Sequence, residues 1–220
     1  MTGCLITFEG SEGCGKSTQI QLLMEKFKAQ GQTALLTREP GGTRLGEHIR
    51  HLLKFSTAGK GMVPEAELLL FCASRAQHYR ELIKPAIEAG KIVICDRFLD
   101  STTVYQGLAR GIPIHLIEAA HQITLGDFRP HLTLLLDMDA EKARLRALRR
   151  VRPAYVGEDR MEIEEPAFYQ KVREGYLQIA KKEKRFHIIN ADITPEELAQ
   201  HIWKEISHVL DHCPCPEPSH

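Results

Sequence analysis

The segment Gly10-Ser11-Glu12-Gly13-Cys14-Gly15-Lys16-Ser17 constrains the fold of this chain more than any other. It fits the P-loop pattern G-x-x-x-x-G-K-[ST] and follows an apolar, strand-like run, Cys4–Phe8. After it, Ile20, Leu22, Leu23, Met24 and Phe27 are spaced for a helix packed on a sheet. A strand that passes through glycines into a helix N-terminus turns its backbone N–H groups inward, with the positive end of the helix dipole behind them. Such a cradle holds a polyphosphate. Gly10, Ser11, Glu12, Gly13, Cys14, Gly15, Lys16, Ser17 and Thr18 are therefore expected to bind a nucleoside triphosphate. Lys16 would reach the outer phosphates and Ser17 a Mg²⁺ ion. The motif leaves the second substrate open.

With 220 residues the chain suits a single α/β domain, expected over 1–211, with a tail at 212–220. Lys+Arg and Asp+Glu both number 29, which disfavours a protein working through a non-specific nucleic-acid field. No apolar run is long enough to span a membrane, and Met1-Thr-Gly-Cys-Leu-Ile6 lacks the basic start of a signal peptide. A cytoplasmic location is expected. Cys4, Cys14, Cys72 and Cys95 are scattered and read as reduced cysteines. The tail, with three prolines, is expected to be disordered; zinc binding by His208, His212, Cys213 and Cys215 is the lesser alternative.

Strand-like runs recur at Cys4–Phe8, Thr33–Thr37, Lys91–Cys95, Leu132–Leu136 and Arg185–Ile189, with helical stretches between them. This alternation predicts a five-stranded parallel sheet flanked by helices, a three-layer α/β arrangement with right-handed crossovers. Ligands then gather at the carboxyl ends of the strands, where Gly10, Arg38-Glu39, Asp96-Arg97 and Asp137 fall. Gly31 and Gly90 mark helix ends. Thr194-Pro195-Glu196-Glu197 is a capping box that opens a helix with Leu198, Ile202, Trp203 and Ile206 on one face.

Four clusters bear on the second substrate. Thr37-Arg38-Glu39-Pro40-Gly41-Gly42-Thr43 is a charged turn at a strand end, with Arg44 and Arg50 in position to face the same cleft. Phe71 and Arg75 share a helical face, as a base-stacking ring and a donor would; spacing alone favours the plainer reading of a core Phe beside a surface Arg. Asp96 closes an apolar strand where a Mg²⁺ carboxylate belongs, Arg97 is poised to clamp a phosphate, and Gln106 carries both donor and acceptor. Finally, Lys142, Arg144, Arg146, Arg149, Arg150 and Arg152 precede an acidic stretch, Glu158 to Glu165. The segment of about 142–165 reads either as a lid or as a solvated charged helix.

Taken together, Thr37-Arg-Glu-Pro-Gly-Gly42, Phe71-x-x-x-Arg75, Asp96-Arg97-x-x-x-Ser101, Tyr105-Gln-Gly-x-x-Arg-Gly111 and Gly126-Asp-x-x-Arg-Pro-x-Leu-Thr133 resemble the bacterial thymidylate kinases, over about residues 4 to 210. The resemblance implies a P-loop NTPase fold with a basic lid, and transfer of phosphate from ATP·Mg²⁺ to dTMP. Phe71 would stack on thymine and Arg75 would bond its O4. Thr102 and Gln106 would hold the remaining base edge. Arg38, Arg50 and Arg97 would hold the dTMP phosphate, with Glu39 beside them. Tyr105 would pack under the deoxyribose, and Glu12 would approach the sugar or the metal's water shell. Ser17 and Asp96 would serve the metal, and Lys16, Arg97, Glu12, Arg149 and Arg160 the chemistry. A homodimer formed through apolar helix faces is also implied. Two departures stand out: Phe98 replaces the family's usual Tyr or His, and Pro153–Gly157 is an unusual lid stretch.

Rival readings make different demands, the weakest of them another nucleoside monophosphate kinase, against which Phe71, Arg75 and Gln106 favour thymine or uracil. A nucleoside kinase would need a carboxylate base, for which Glu39 is the candidate. A P-loop switch would bind nucleotide but have no small-molecule acceptor.

Overall fold

The computed structural model describes residues 3–149 and 165–212. Five strands form one parallel sheet: β1 (Cys4–Glu9), β2 (Ala34–Arg38), β3 (Ile92–Asp96), β4 (Leu132–Asp137) and β5 (Phe186–Asn190), in the order β2-β3-β1-β4-β5. Each lies within one residue of its sequence-predicted span. In the register Phe8 pairs with Asp96 and Leu134, so the ends of the three central strands lie side by side.

The central strands are apolar throughout because both sheet faces are covered. On one face Ile6, Phe8, Ile94 and Leu134 pack against Ile20, Leu23 and Phe27 of α1 (Lys16–Ala29). Leu198, Ile202 and Ile206 of α9 (Pro195–His212) complete that layer. On the other face Leu5, Val93 and Cys95 meet Tyr79 and Ile83, while Leu135 meets Val104, Val172 and Tyr176. Each large apolar side chain withdrawn from water contributes about 1.5–3 kcal/mol. Alternation along β1 sends Glu9 to the same face as Leu5, the only side on which Tyr176 can reach it.

The remaining α-helices among the described residues are α2 (Arg44–Lys54), α3 (Pro64–His78), α4 (Lys84–Glu88), α5 (Leu99–Thr102), α6 (Ile114–Leu125), α7 (Ala140–Leu148) and α8 (Pro166–Ala180). Two π-helical turns, Tyr79–Ile83 and Thr103–Ala109, extend α3 and α5. The capping box of α9 forms as expected: the Thr194 hydroxyl accepts from Glu197 N–H at 3.3 Å, and Glu197 accepts from Thr194 N–H at 3.1 Å. Cys4, Cys14, Cys72 and Cys95 are buried. Among the described residues no helix is long and apolar enough to cross a membrane, and no group of three His, Cys, Asp or Glu could hold a metal ion. The acidic stretch through Glu164, Arg150, Arg152, Arg160, Pro153–Gly157 and the cysteines of the tail lie outside the described residues.

Candidate active site

A cleft of about 570 Å³ opens at the carboxyl ends of β1, β2 and β3. Its walls include Glu12, Gly13, Gly15, Lys16, Ser17 and Thr18 from the loop, Arg38, Glu39, Asp96 and Arg97 from strand ends, and Arg50, Arg146 and Arg149 from helices. Arg44 is exposed and is not on this wall, contrary to expectation, whereas Arg50 is. A larger groove of about 960 Å³ follows α1 and the edge strand β2 and meets the cleft at Ser17, Arg38 and Asp96. The converging charges lie in the smaller cleft, which is therefore the candidate site.

The loop is held open from below. Lys16 Nζ donates to the carbonyls of Gly10 (2.9 Å) and Ser11 (2.7 Å) and lies 3.6 Å from Cys14 Sγ. Among the described residues no side chain caps the N-terminus of α1, so the inward N–H groups of its first turn face an arriving phosphate. Gly13 has φ 82, and a Cβ there would sit 2.0 Å from the Ala143 carbonyl of α7. That close approach brings Arg146 and Arg149 to the cleft. Lys142 and Arg146 pair with Asp192 after β5, which ties the start of the basic segment to the sheet.

Arg97 lies where the cleft meets a second, narrower chamber. Its backbone is left-handed (φ 68), a strained state for a residue with a Cβ, and its N–H donates to Phe8 O at 3.0 Å. Its Nη2 donates to Glu12 Oε1 at 2.8 Å, and its Nη1 to Ser101 Oγ and Tyr176 Oη, both at 3.1 Å. Tyr105 stacks 5.2 Å from the guanidinium carbon and donates to Glu12 Oε2 at 2.6 Å. Burial alone would raise the Glu12 carboxyl, but Arg97, Lys16 and the Tyr105 hydroxyl outweigh it and hold the group below its usual value. Glu12 is thus a fixed carboxylate.

Beyond Arg97 a narrow chamber of about 30 Å³ is lined by Glu12, Pro40, Lys54, Phe71, Arg97, Ser101, Thr102, Tyr105 and Gln106. Phe71, Thr102, Tyr105 and Gln106 are thereby brought together as expected. Arg75 is not on that wall but directly behind it. It is only 1% exposed, which overturns the surface-Arg reading. Its Nε donates to Glu39 Oε2 at 2.8 Å, and its Nη2 to Thr102 Oγ1 at 2.8 Å and Phe98 O at 3.3 Å. Its Nη1 is buried with no hydrogen-bond partner among the described residues. Such an orphan donor is costly unless a ligand meets it. Glu39 also accepts from His78 Nδ1 at 3.1 Å, so each of its oxygens holds one of these two side chains. Gln106 Nε2 donates to Glu67 at 2.7 Å.

Asp96 carries a second orphan, a buried Oδ1 without a hydrogen-bond partner among the described residues, beside Ser17 on the same wall. An oxygen-only donor set with one carboxylate free suits a hard divalent cation such as Mg²⁺. Sequence reasoning missed Glu9, Tyr176, His78 and Glu67. Glu9 carried a signal, a lone charge closing an apolar strand; the others carried none.

The family model for thymidylate kinase matches residues 8–202. The chain belongs to the thymidylate kinase family. It is 44% identical over 208 residues to the thymidylate kinase of Syntrophotalea carbinolica, covering 94% of this chain and 96% of that one. It is 47% identical over 198 residues to the enzyme of Geotalea daltonii, covering 89% and 92%. The solved structure of thymidylate kinase from Ehrlichia chaffeensis superposes with a TM-score of 0.74 at 36% identity, covering 94% of this chain and 99% of that chain. Thymidylate kinases phosphorylate dTMP to dTDP, and this chain is an enzyme of that family using ATP as donor.

Proposed function

We propose that the chain transfers the γ-phosphoryl group of ATP, bound with Mg²⁺, to the phosphate of dTMP, with Arg97 as the hinge of the site. The observation that carries this is the continuity of a phosphate cleft with an aromatic chamber, joined at one guanidinium. The acceptor phosphate, with a second pKa near about 6, is mostly ionised at neutral pH, so no general base is needed. What remains is alignment and charge neutralisation. The loop N–H groups and Lys16 hold the donor phosphates. Arg97, with Arg38 and Arg50, holds the acceptor, and Arg149 with Arg160 of the 142–165 lid supplies further charge. Ser17 and Asp96 would hold the cation, which neutralises phosphate charge when bound. Glu12 is fixed between Arg97 and Tyr105, so it positions the clamp and orders water near the sugar.

On the base side, Phe71 stacks on the ring and the orphan Nη1 of Arg75 meets a carbonyl oxygen, held in place by Glu39 and Thr102. Gln106 keeps its carbonyl oxygen for a base N–H while its amide is occupied by Glu67. The chain acts in the cytoplasm as a homodimer. Exposed Leu45, Leu69, Leu116 and Ile123 on α2, α3 and α6, three helices packed side by side, support that assembly. ADP release with dTMP, dUMP, dCMP, dGMP, AMP and thymidine as separate acceptors tests the reading. Turnover strongest with dTMP is expected. Turnover with thymidine but not dTMP would refute it, and no acceptor dependence would favour a switch.

A further inference from the structure

Behind Arg97 stands a buried group that the chemistry above does not use. Glu9, fully buried at the end of β1, accepts from Tyr176 Oη and Ser101 Oγ, both at 2.7 Å on Oε2, and from Phe98 N–H at 2.8 Å on Oε1. The Tyr176 and Ser101 oxygens lie 2.9 Å apart, and both receive Nη1 of Arg97. Neither Glu9 nor Tyr176 lines the cleft or the chamber. Burial keeps the Tyr176 phenol protonated well past neutral pH, so its proton goes to Glu9 and its lone pair faces the guanidinium. One helical turn earlier on α8, Arg173 makes a two-pronged ion pair with Asp137 at the end of β4 (2.7 and 2.9 Å), which anchors the helix that carries Tyr176.

Arg97 is thus gripped on two sides. Glu12 holds Nη2 from the loop, and the hydroxyl pair braced by Glu9 holds Nη1 from beneath. Removing the lower grip leaves a long side chain free to swing about its remaining bonds, and a misaligned clamp costs rate even when its charge is intact. We propose that Tyr176, braced by Glu9, is a positioning residue for Arg97 that fixes the angle at which the guanidinium meets the acceptor phosphate. This rests on reading Arg97 as the acceptor clamp.

The test is a double-mutant cycle. kcat and KM for dTMP and ATP are measured for Tyr176→Phe, Arg97→Ala and the double variant, with circular dichroism to establish folding. Tyr176→Phe is expected to lower kcat/KM for dTMP about tenfold, the scale of one lost hydrogen bond to a charged group, with KM for ATP unchanged. In the Arg97→Ala background the same change should cost less than about twofold, because the residue it acts through is gone. A folded Tyr176→Phe enzyme with unaltered kinetics overturns the proposal, as does an equal loss in both backgrounds. If Arg97→Ala alone keeps full turnover, the clamp reading itself fails and the proposal falls with it. Should Tyr176→Phe not fold, Glu9→Gln runs through the same cycle with the same expected pattern, since an amide N–H in place of Oε2 reverses the hydrogen-bond direction.

Discussion

Arg97 combines a left-handed backbone, two hydroxyl partners, a carboxylate and an aromatic face. Strain of that kind persists only where the surroundings over-determine it, which is common where a charge must be aimed. Arg97→Ala should therefore lower kcat with dTMP by about 10²–10³-fold, the usual cost of losing one charge-stabilising donor, while circular dichroism stays that of the wild type. Near-normal turnover in the folded variant would remove Arg97 from the reaction. Residue type and motif position were enough to single out Arg97, Lys16 and Asp96. They were not enough for Arg75. Helical spacing could state that it shares a face with Phe71, but burial of a guanidinium depends on Glu39, 36 positions earlier in sequence and 2.8 Å away in space. Pairing of that kind leaves no periodic trace.

At the scale of elements, strands and caps were legible because both follow local rules. An apolar run bounded by turns is a strand whether or not its neighbours are known, and Thr194 with Glu197 closes its own box. The π-helical turns that carry Tyr79 and, in the second, Tyr105 and Gln106 were not legible: no residue pattern marks them, and the second packs on α6 and α8, which are remote in sequence. The packing of α7 on the loop was equally hidden. Gly13→Ala tests it: a methyl group 2.0 Å from the Ala143 carbonyl, on a backbone with φ 82, must push α7 and the loop apart. Loss of ATP affinity by about tenfold or more is expected by calorimetry, with the sheet intact, since misplacement of the cradle costs more than the lost glycine freedom. Unchanged ATP affinity would show that α7 does not fix the cradle.

For the molecule as a whole, two buried groups set opposing pH responses. Burial, then the nearby Asp100, raises the Glu9 carboxyl to about 7 despite Arg97, Ser101 and Tyr176. The fold therefore holds a proton that the unfolded chain releases above its ordinary value of 4.5, and this contribution to stability is lost as pH rises through that window. Burial, with Arg75, Arg129 and Arg185, lowers His121 to about 3, and its ring bonds Thr103 at 2.9 Å. The unfolded chain protonates that histidine below 6.5 and the fold does not, so stability is lost as pH falls. Glu9→Gln removes the first response alone. Urea unfolding from pH 5 to 7.5 should then gain stability more steeply in the variant than in the wild type; an equal or shallower slope would count against the assignment. The exposed helix layer makes a second whole-molecule expectation. Leu69, 67% exposed, and Ile123, 82% exposed, are free to change without touching the core, so if the proposed homodimer forms through this layer, Leu69→Asp with Ile123→Asp should yield a folded monomer by light scattering at micromolar concentration. What the sequence determined by itself was local: strand and helix periodicity, the phosphate loop, the caps, and the residue types gathered at strand ends. The tertiary structure alone decided which charges meet. It buried Arg75 behind the chamber, paired Glu39 with Arg75 and His78, and brought Glu9 and Tyr176, 167 positions apart, onto one face of Arg97. The physical reason is that backbone pattern is set by neighbours in sequence, whereas the state of a buried charge is set by neighbours in space.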